Sequence, residues 1–179
     1  MHAGWMARGG GKACTSQAKL GGESGPPWQL GDTWGNSLMQ DAFAFSDGIC
    51  LQLQRVRPEA IMQACNQADG RGGVNEVDPT GLASWGLAET LAAFVVRRRM
   101  LFDGRVVLEL GCGRGLCGIV AAHYAAAVTL TDYEPAVLAL AGLNAAAAGP
   151  ALLARGRQRP AIDQLTWSVT AMPLLATMS

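Results

Sequence analysis

The sequence predicts an α/β fold built on a parallel sheet, with a largely irregular extension at the N-terminus. Three observations predict it. Residues 106–115 read Val-Val-Leu-Glu-Leu-Gly-Cys-Gly-Arg-Gly, a short apolar strand that runs straight into a glycine-rich turn. About twenty residues later Val128-Thr129-Leu130 forms a second apolar run, and it ends on Thr131-Asp132. Between them lies a segment of helical composition. A strand, a glycine turn, a helix and an acid-ended strand make half of a Rossmann-like, nucleotide-binding sheet. The glycines admit a ligand close to the backbone, and the acid can accept hydrogen bonds from ribose hydroxyls.

The totals are compatible with one domain or part of a larger one. The chain has 179 residues, half of them hydrophobic, and 14 basic residues balance 14 acidic ones. That balance gives no electrostatic case for nucleic acid or an anionic membrane as partner. No run of about 18 apolar residues exists, so no membrane span is predicted. The five cysteines (14, 50, 65, 112 and 117) are scattered, odd in number and without a CxxC pair, so reduced thiols in an intracellular, cytoplasmic or nuclear setting are expected. With only His2 and His123 present, no histidine-rich metal centre is expected. Residues 1–22 lack acids and carry Arg8, Lys12 and Lys19, a composition shared by organelle transit peptides and ordinary loose termini.

Along the chain, residues 1–40 are rich in Gly, Ser and Pro and read as a disordered extension, although Trp5, Trp28 and Trp34 could dock onto the folded part. Residues 41–79 lead into the domain: apolar and polar residues alternate from Gly48 to Val56, as in a strand or hairpin arm, and residues 66–80 have loop composition. From Gly81, Leu82, Trp85, Ala88, Leu91, Ala92 and Val95 recur at steps of three and four, one apolar face of a helix that Arg97-Arg98-Arg99 closes. Phe102-Asp103-Gly104 turns into the strand Arg105–Leu110. After the glycine turn a helix runs from Leu116 to Ala125, then the strand 128–131. Pro135 starts a further helix expected to end before Gly149-Pro150. Arg155–Pro160 reads as an exposed loop, and Ile162–Val169 as a third strand.

Two glycine frames overlap in the turn. Gly113-x-Gly115-x-x-Gly118 fits a dinucleotide fingerprint, whereas Gly111-x-Gly113-x-Gly115 fits a turn that holds S-adenosylmethionine. Because the strand ends at Leu110, Gly111 opens the turn, and the sixth position counted from it is Leu116 rather than Gly. Glu109, one residue inside the strand, would repel a pyrophosphate and suits a ligand carrying an amino group and a sulfonium charge. The frame therefore favours S-adenosylmethionine. A dinucleotide and a turn without a ligand are the alternatives.

Residues 80–144 resemble the class I methyltransferases, and in particular the eukaryotic family 16 protein-lysine methyltransferases. The likeness is carried by Thr80-Gly81-Leu82-Ala83-Ser84-Trp85, by residues 107–119 from Val107 to Ile119, by residues 128–133 ending in Asp132-Tyr133, and by Asn144. Leu165-Thr166-Trp167 resembles the family's next motif. The resemblance implies a partial methyltransferase domain over residues 80–179, with S-adenosylmethionine as donor and a protein lysine as acceptor. It implies that Gly111, Cys112 and Gly113 line the methionine and ribose portion through the backbone. Asp132 would bind the ribose hydroxyls, Trp85 would lie against the pocket, and Trp167 would flank the adenine. Glu109 and Gly115 complete the expected cofactor-binding set.

The family continues beyond Trp167 with a strand that carries an acid near its end and an aromatic after it, beside the transferred methyl group. Ser168-Val169-Thr170-Ala171-Met172-Pro173 holds no such acid, and the last acid in the sequence is Asp163. The expectation is a half-sheet with an unpaired edge and no assigned catalytic residue. A noncatalytic interaction protein, a small-molecule amine methyltransferase and a dinucleotide-dependent oxidoreductase fragment are the competing readings.

Overall fold

The computed structural model describes residues 30–68, 78–83 and 85–167. Trp5, Trp28 and residues 168–173 lie outside the described residues; of the third strand expected over Ile162–Val169, strand structure ends at Gln164 and residues 165–167 are irregular. Within the stretch expected to be irregular through residue 40, α1 (Asp32–Gly35) and the start of β1 (Leu38–Ala44) are regular. The reason is tertiary. Trp34 is buried against Val56, Leu82, Val137 and Leu140, and β1 gains a full antiparallel partner in β2 (Cys50–Val56), from Leu38↔Val56 to Ala44↔Cys50. On β2 the period-two alternation holds over the first four residues, with Leu51 and Leu53 buried and Cys50 and Gln52 exposed, and then breaks, since Val56 is buried out of phase with them.

A helix follows that the loop reading missed, α2 (Pro58–Ala68), which takes in residues 66–68. Its sequence signal was Pro58 at the first helical position with Glu59 in the first turn. Residues Pro79–Leu82 form one 3-10 turn, and α3 begins only at Gly86 and runs to Arg97. The helix expected from Gly81 is thus split. A Cβ on Gly81 would stand 2.6 Å from Val137 Cγ2, so the 3-10 turn is seated directly on the next layer, and Trp85 takes an extended conformation as the helix cap.

The central sheet has three parallel strands in the order β3 (Val106–Leu110), β4 (Ala127–Asp132), β5 (Ala161–Gln164). Crossovers run through α4 (Leu116–Ala121) and α5 (Pro135–Leu153). Val107, Val128, Leu130 and Ile162 face a core shared with α3, α4, α5 and the hairpin. Gly118 lets α4 lie on the sheet, because a Cβ there would meet Leu130 Cδ2 at 2.1 Å and Glu109 Oε2 at 2.5 Å. The alternate residues of β3, Val106, Leu108 and Leu110, are 82%, 58% and 49% exposed. Among the described residues β3 pairs with β4 alone.

Gly149-Pro150 does not end α5, which continues through Leu153. Pro150 lies on the exposed side of the last turn, where few helical bonds remain to be broken, while fully buried Leu152 fastens that turn to the core. α5 is long and apolar enough by length and composition to cross a membrane, against the expectation of no such segment, and half of the stretch is buried inside the fold. Its apolarity has a local account: Leu138, Leu140, Ala141 and Leu152 are buried in the two core clusters and their surroundings. His123, after α4, is 5% exposed, and among the described residues neither ring nitrogen has a hydrogen-bond partner.

Candidate functional site

A cavity of about 630 Å³ opens at the carboxyl ends of the three strands, where open α/β sheets bind ligands. Gly111 and Gly113 line it from the turn after β3, Asp132 from the end of β4, and Thr166 and Trp167 from the segment after β5. Asp78, Thr80, Gly81 and Trp85 close it from the 3-10 turn and the cap of α3. Five expected site residues thus meet in one place: Trp85, Gly111, Gly113, Asp132 and Trp167.

The turn owes its shape to left-handed glycines. Gly111, Gly113 and Gly115 have φ of 63°, 52° and 87°, a region that side-chain-bearing residues rarely enter. At Gly111 a Cβ would meet nothing within 4 Å, so this backbone faces open space, whereas at Gly113 it would press on the Gly81 carbonyl at 3.3 Å. Asp132, 8% exposed, holds the turn in place. Its Oδ2 accepts from Gly113 N at 3.2 Å, and its Oδ1 accepts from Tyr133 N at 2.8 Å and Glu134 N at 3.3 Å. A carboxylate offers about four acceptor positions, so one remains beside the cavity.

Three expected residues stand elsewhere. Glu109 does not line the cavity: strand alternation turns it toward α4, where Oε2 accepts from Gly118 N at 2.8 Å. Burial raises its carboxyl to about 7, against the opposing pull of the Gly118 N–H and the Cys117 thiol. Cys112 is 7% exposed with its side chain in the core, and its N–H donates to Thr131 O at 2.8 Å, so it shapes the turn from behind. Burial, followed by the charges of Glu109 and Asp132, pushes its thiol far above the ordinary range. Gly115 caps α4 and packs on Leu130, Ile119 and Ala141 rather than on the cavity.

Sequence reasoning missed Asp78, Thr80, Gly81, Tyr133, Glu134, Val137 and Thr166 among the lining residues. Two of these had a signal, an acid directly before proline. Asp78 caps the 3-10 turn by accepting from Thr80 N at 2.9 Å, and Glu134 caps α5 by accepting from Ala136 N at 3.2 Å. The two caps are joined, since Asp78 N donates to Glu134 Oε2 at 3.3 Å and the Tyr133 hydroxyl donates to Asp78 Oδ2. That bond, reinforced by the Thr80 N–H, holds the Asp78 carboxyl below its usual value, and it raises the Tyr133 phenol to about 12. Trp85 is 60% exposed, its indole N–H donating to Thr80 O at 2.9 Å; Trp167 is 71% exposed. The result is a basin with backbone on its floor, acids along one side and two tryptophans at its rim.

Comparison with known proteins covers this same region. Residues 75–176 match the family described as lysine methyltransferase. Protein N-lysine methyltransferase METTL21A of Danio rerio is 40% identical over 84 residues, which is 46% of this chain and 36% of that protein. Methyltransferase-like protein 22 of Mus musculus is 38% identical over 91 residues, 51% of this chain and 23% of that protein. The chain therefore spans well under half the length of these curated relatives. With more than half of its residues inside the matched segment and the glycine turn and Asp132 at its centre, the chain belongs to the lysine methyltransferase family.

Proposed function

We propose that this chain carries the cofactor-binding part of an S-adenosylmethionine-dependent protein-lysine methyltransferase. The observation that carries the reading is the convergence of Gly111, Gly113 and Asp132 on one cavity between Trp85 and Trp167, at the carboxyl ends of parallel strands. The residues suit the cofactor. Open backbone at Gly111 admits close approach, the spare acceptor position of Asp132 suits a ribose hydroxyl, and the exposed faces of Trp85 and Trp167 suit a flat base and a sulfonium-bearing chain. S-adenosylmethionine bound there supplies a methyl group activated by the adjacent sulfonium for transfer to an amine.

The chain's own part is to bind and orient. Asp132 fixes the turn and the sugar together, and the linked caps Asp78 and Glu134 keep the wall between the 3-10 turn and α5 rigid. A lysine acceptor must arrive neutral and in line with the methyl carbon, and positioning supplies much of the rate in such transfers. No described side chain is assigned as the proton acceptor. The lysine acceptor itself is inferred from the family and from the relative named as an N-lysine methyltransferase.

Calorimetric titration with S-adenosylhomocysteine and, in parallel, with a nicotinamide dinucleotide tests the reading. The first should bind and the second should not. Asp132→Ala should weaken the homocysteine ligand by 1.5–3 kcal/mol, roughly ten- to hundredfold, the usual worth of a bond to a charged acceptor. Dinucleotide binding, or binding of the homocysteine ligand unchanged by Asp132→Ala, would overturn it.

A further inference from the structure

The glycine turn carries a bulky cation at its centre, and nothing about ligand binding accounts for it. Arg114 lies between two left-handed glycines, Gly113 and Gly115, yet its side chain is only 4% exposed. The guanidinium reaches back to the hairpin, where Nη1 meets Asp41 Oδ2 at 2.6 Å and the group lies 5.0 Å from the centroid of the Phe43 ring. Asp41 is held in turn by Arg55 Nε at 3.0 Å, from β2. A second tie runs through fully buried Asn144 of α5. Its amide donates to Arg114 O at 2.9 Å and to Gln54 O at 3.0 Å, while its Oδ1 accepts from Gln54 N at 2.6 Å.

Glycines on both sides of Arg114 leave the turn free to take many shapes. The shape that presents Gly111 and Gly113 to the cavity needs fastening, and two of its fastenings lead to the β1–β2 hairpin. That hairpin lies before the segment matched to the family, residues 75–176. We propose that the hairpin is a clamp on the cofactor turn, and that Asp41 is its positioning residue, holding Arg114 so that the turn keeps its binding shape. The proposal rests on the cofactor reading above for its effect on affinity, but not for its effect on the turn itself.

Two measurements on the full chain test it: hydrogen exchange at the amides of Gly113 and Gly115, and calorimetric affinity for S-adenosylhomocysteine. Asp41→Asn should raise exchange at these amides at least tenfold and weaken the ligand about tenfold, a neutral partner being a poorer hold on a guanidinium than a carboxylate. Tyr124→Phe, which removes the hydroxyl's bond to Asp47 in the hairpin's connecting turn and touches neither Asp41 nor Arg114, should leave both within about twofold and controls for loss of overall stability. If Asp41→Asn does not fold, Phe43→Leu removes only the ring beneath the guanidinium and should move both quantities the same way, about threefold. Exchange and affinity unchanged in Asp41→Asn, or moved equally by Tyr124→Phe, would overturn the clamp. If the unsubstituted chain does not bind the ligand, the cofactor reading fails, and the exchange measurement alone decides the clamp.

Discussion

Glu109→Gln and His123→Leu probe two groups, half-buried Glu109 and buried His123, that are shifted in opposite senses. Burial lifts the Glu109 carboxyl to about 7, and burial reinforced by the charge of Arg155 lowers His123 to about 4. The folded chain holds the Glu109 proton more tightly than the unfolded chain does, at its ordinary 4.5. Its contribution is complete below pH 4.5 and is lost as pH rises through 7. The folded chain holds the His123 proton less tightly than the unfolded chain, at its ordinary 6.5. Its contribution is present above 6.5 and is lost as pH falls through 4. With one pKa unit worth about 1.4 kcal/mol, each group moves the unfolding free energy by about 2 kcal/mol between pH 7 and pH 5, in opposite directions. The other displaced groups act elsewhere: the Asp41 and Asp78 carboxyls lie below 3.8, and the raised thiols and phenols lie above 9. Urea unfolding at the two pH values reads the balance. Relative to the unsubstituted chain, Glu109→Gln should lose about 2 kcal/mol more on acidification, and His123→Leu about 2 kcal/mol less. All remaining groups are common to the three chains and cancel. Curves for Glu109→Gln and the unsubstituted chain that run parallel from pH 7 to pH 5 would refute the burial of this carboxylate against the first turn of α4.

Gly118→Ala should destabilise the fold by about 2–4 kcal/mol in urea, since its new methyl would stand 2.1 Å from Leu130 Cδ2 and 2.5 Å from Glu109 Oε2, side-chain ends held by full burial at Leu130 and by the Gly118 N–H at Glu109. Asn144→Ala leaves Gln54 N, Gln54 O and Arg114 O without their partner in the core and should cost about 2–4 kcal/mol, with no change in secondary structure by circular dichroism if the chain is kept well below its melting point. Leu108→Lys, placed on the open face of β3 where Leu108 is 58% exposed, should change stability by less than about 0.5 kcal/mol while lowering concentration-dependent association in sedimentation, because a charge blunts an unpaired edge.

What could be read in the sequence was what local physics decides. The strand 106–110, the glycine turn, the strand 127–132 and the helix starting at Pro135 all carry their own signals within a few residues: an apolar run, left-handed glycines, an acid at a strand end, a proline at a helix start. The meeting of Gly111, Gly113 and Asp132 followed from that order. What could not be read depended on partners distant in the chain. Trp34 and β1 are ordered by contacts with residues up to about a hundred positions away, so a Gly- and Ser-rich context masked them. Glu109 was placed correctly on its strand but assigned to the wrong side, because strand position fixes alternation and not which layer covers which face. The three residues Arg97–Arg99 and Arg114 look alike in composition, yet Arg99 is exposed beside Asp47 and Arg114 is sealed against Asp41 and Phe43. The partner that buries Arg114 lies in the hairpin, 73 residues earlier in the chain, where no local pattern around the turn could point.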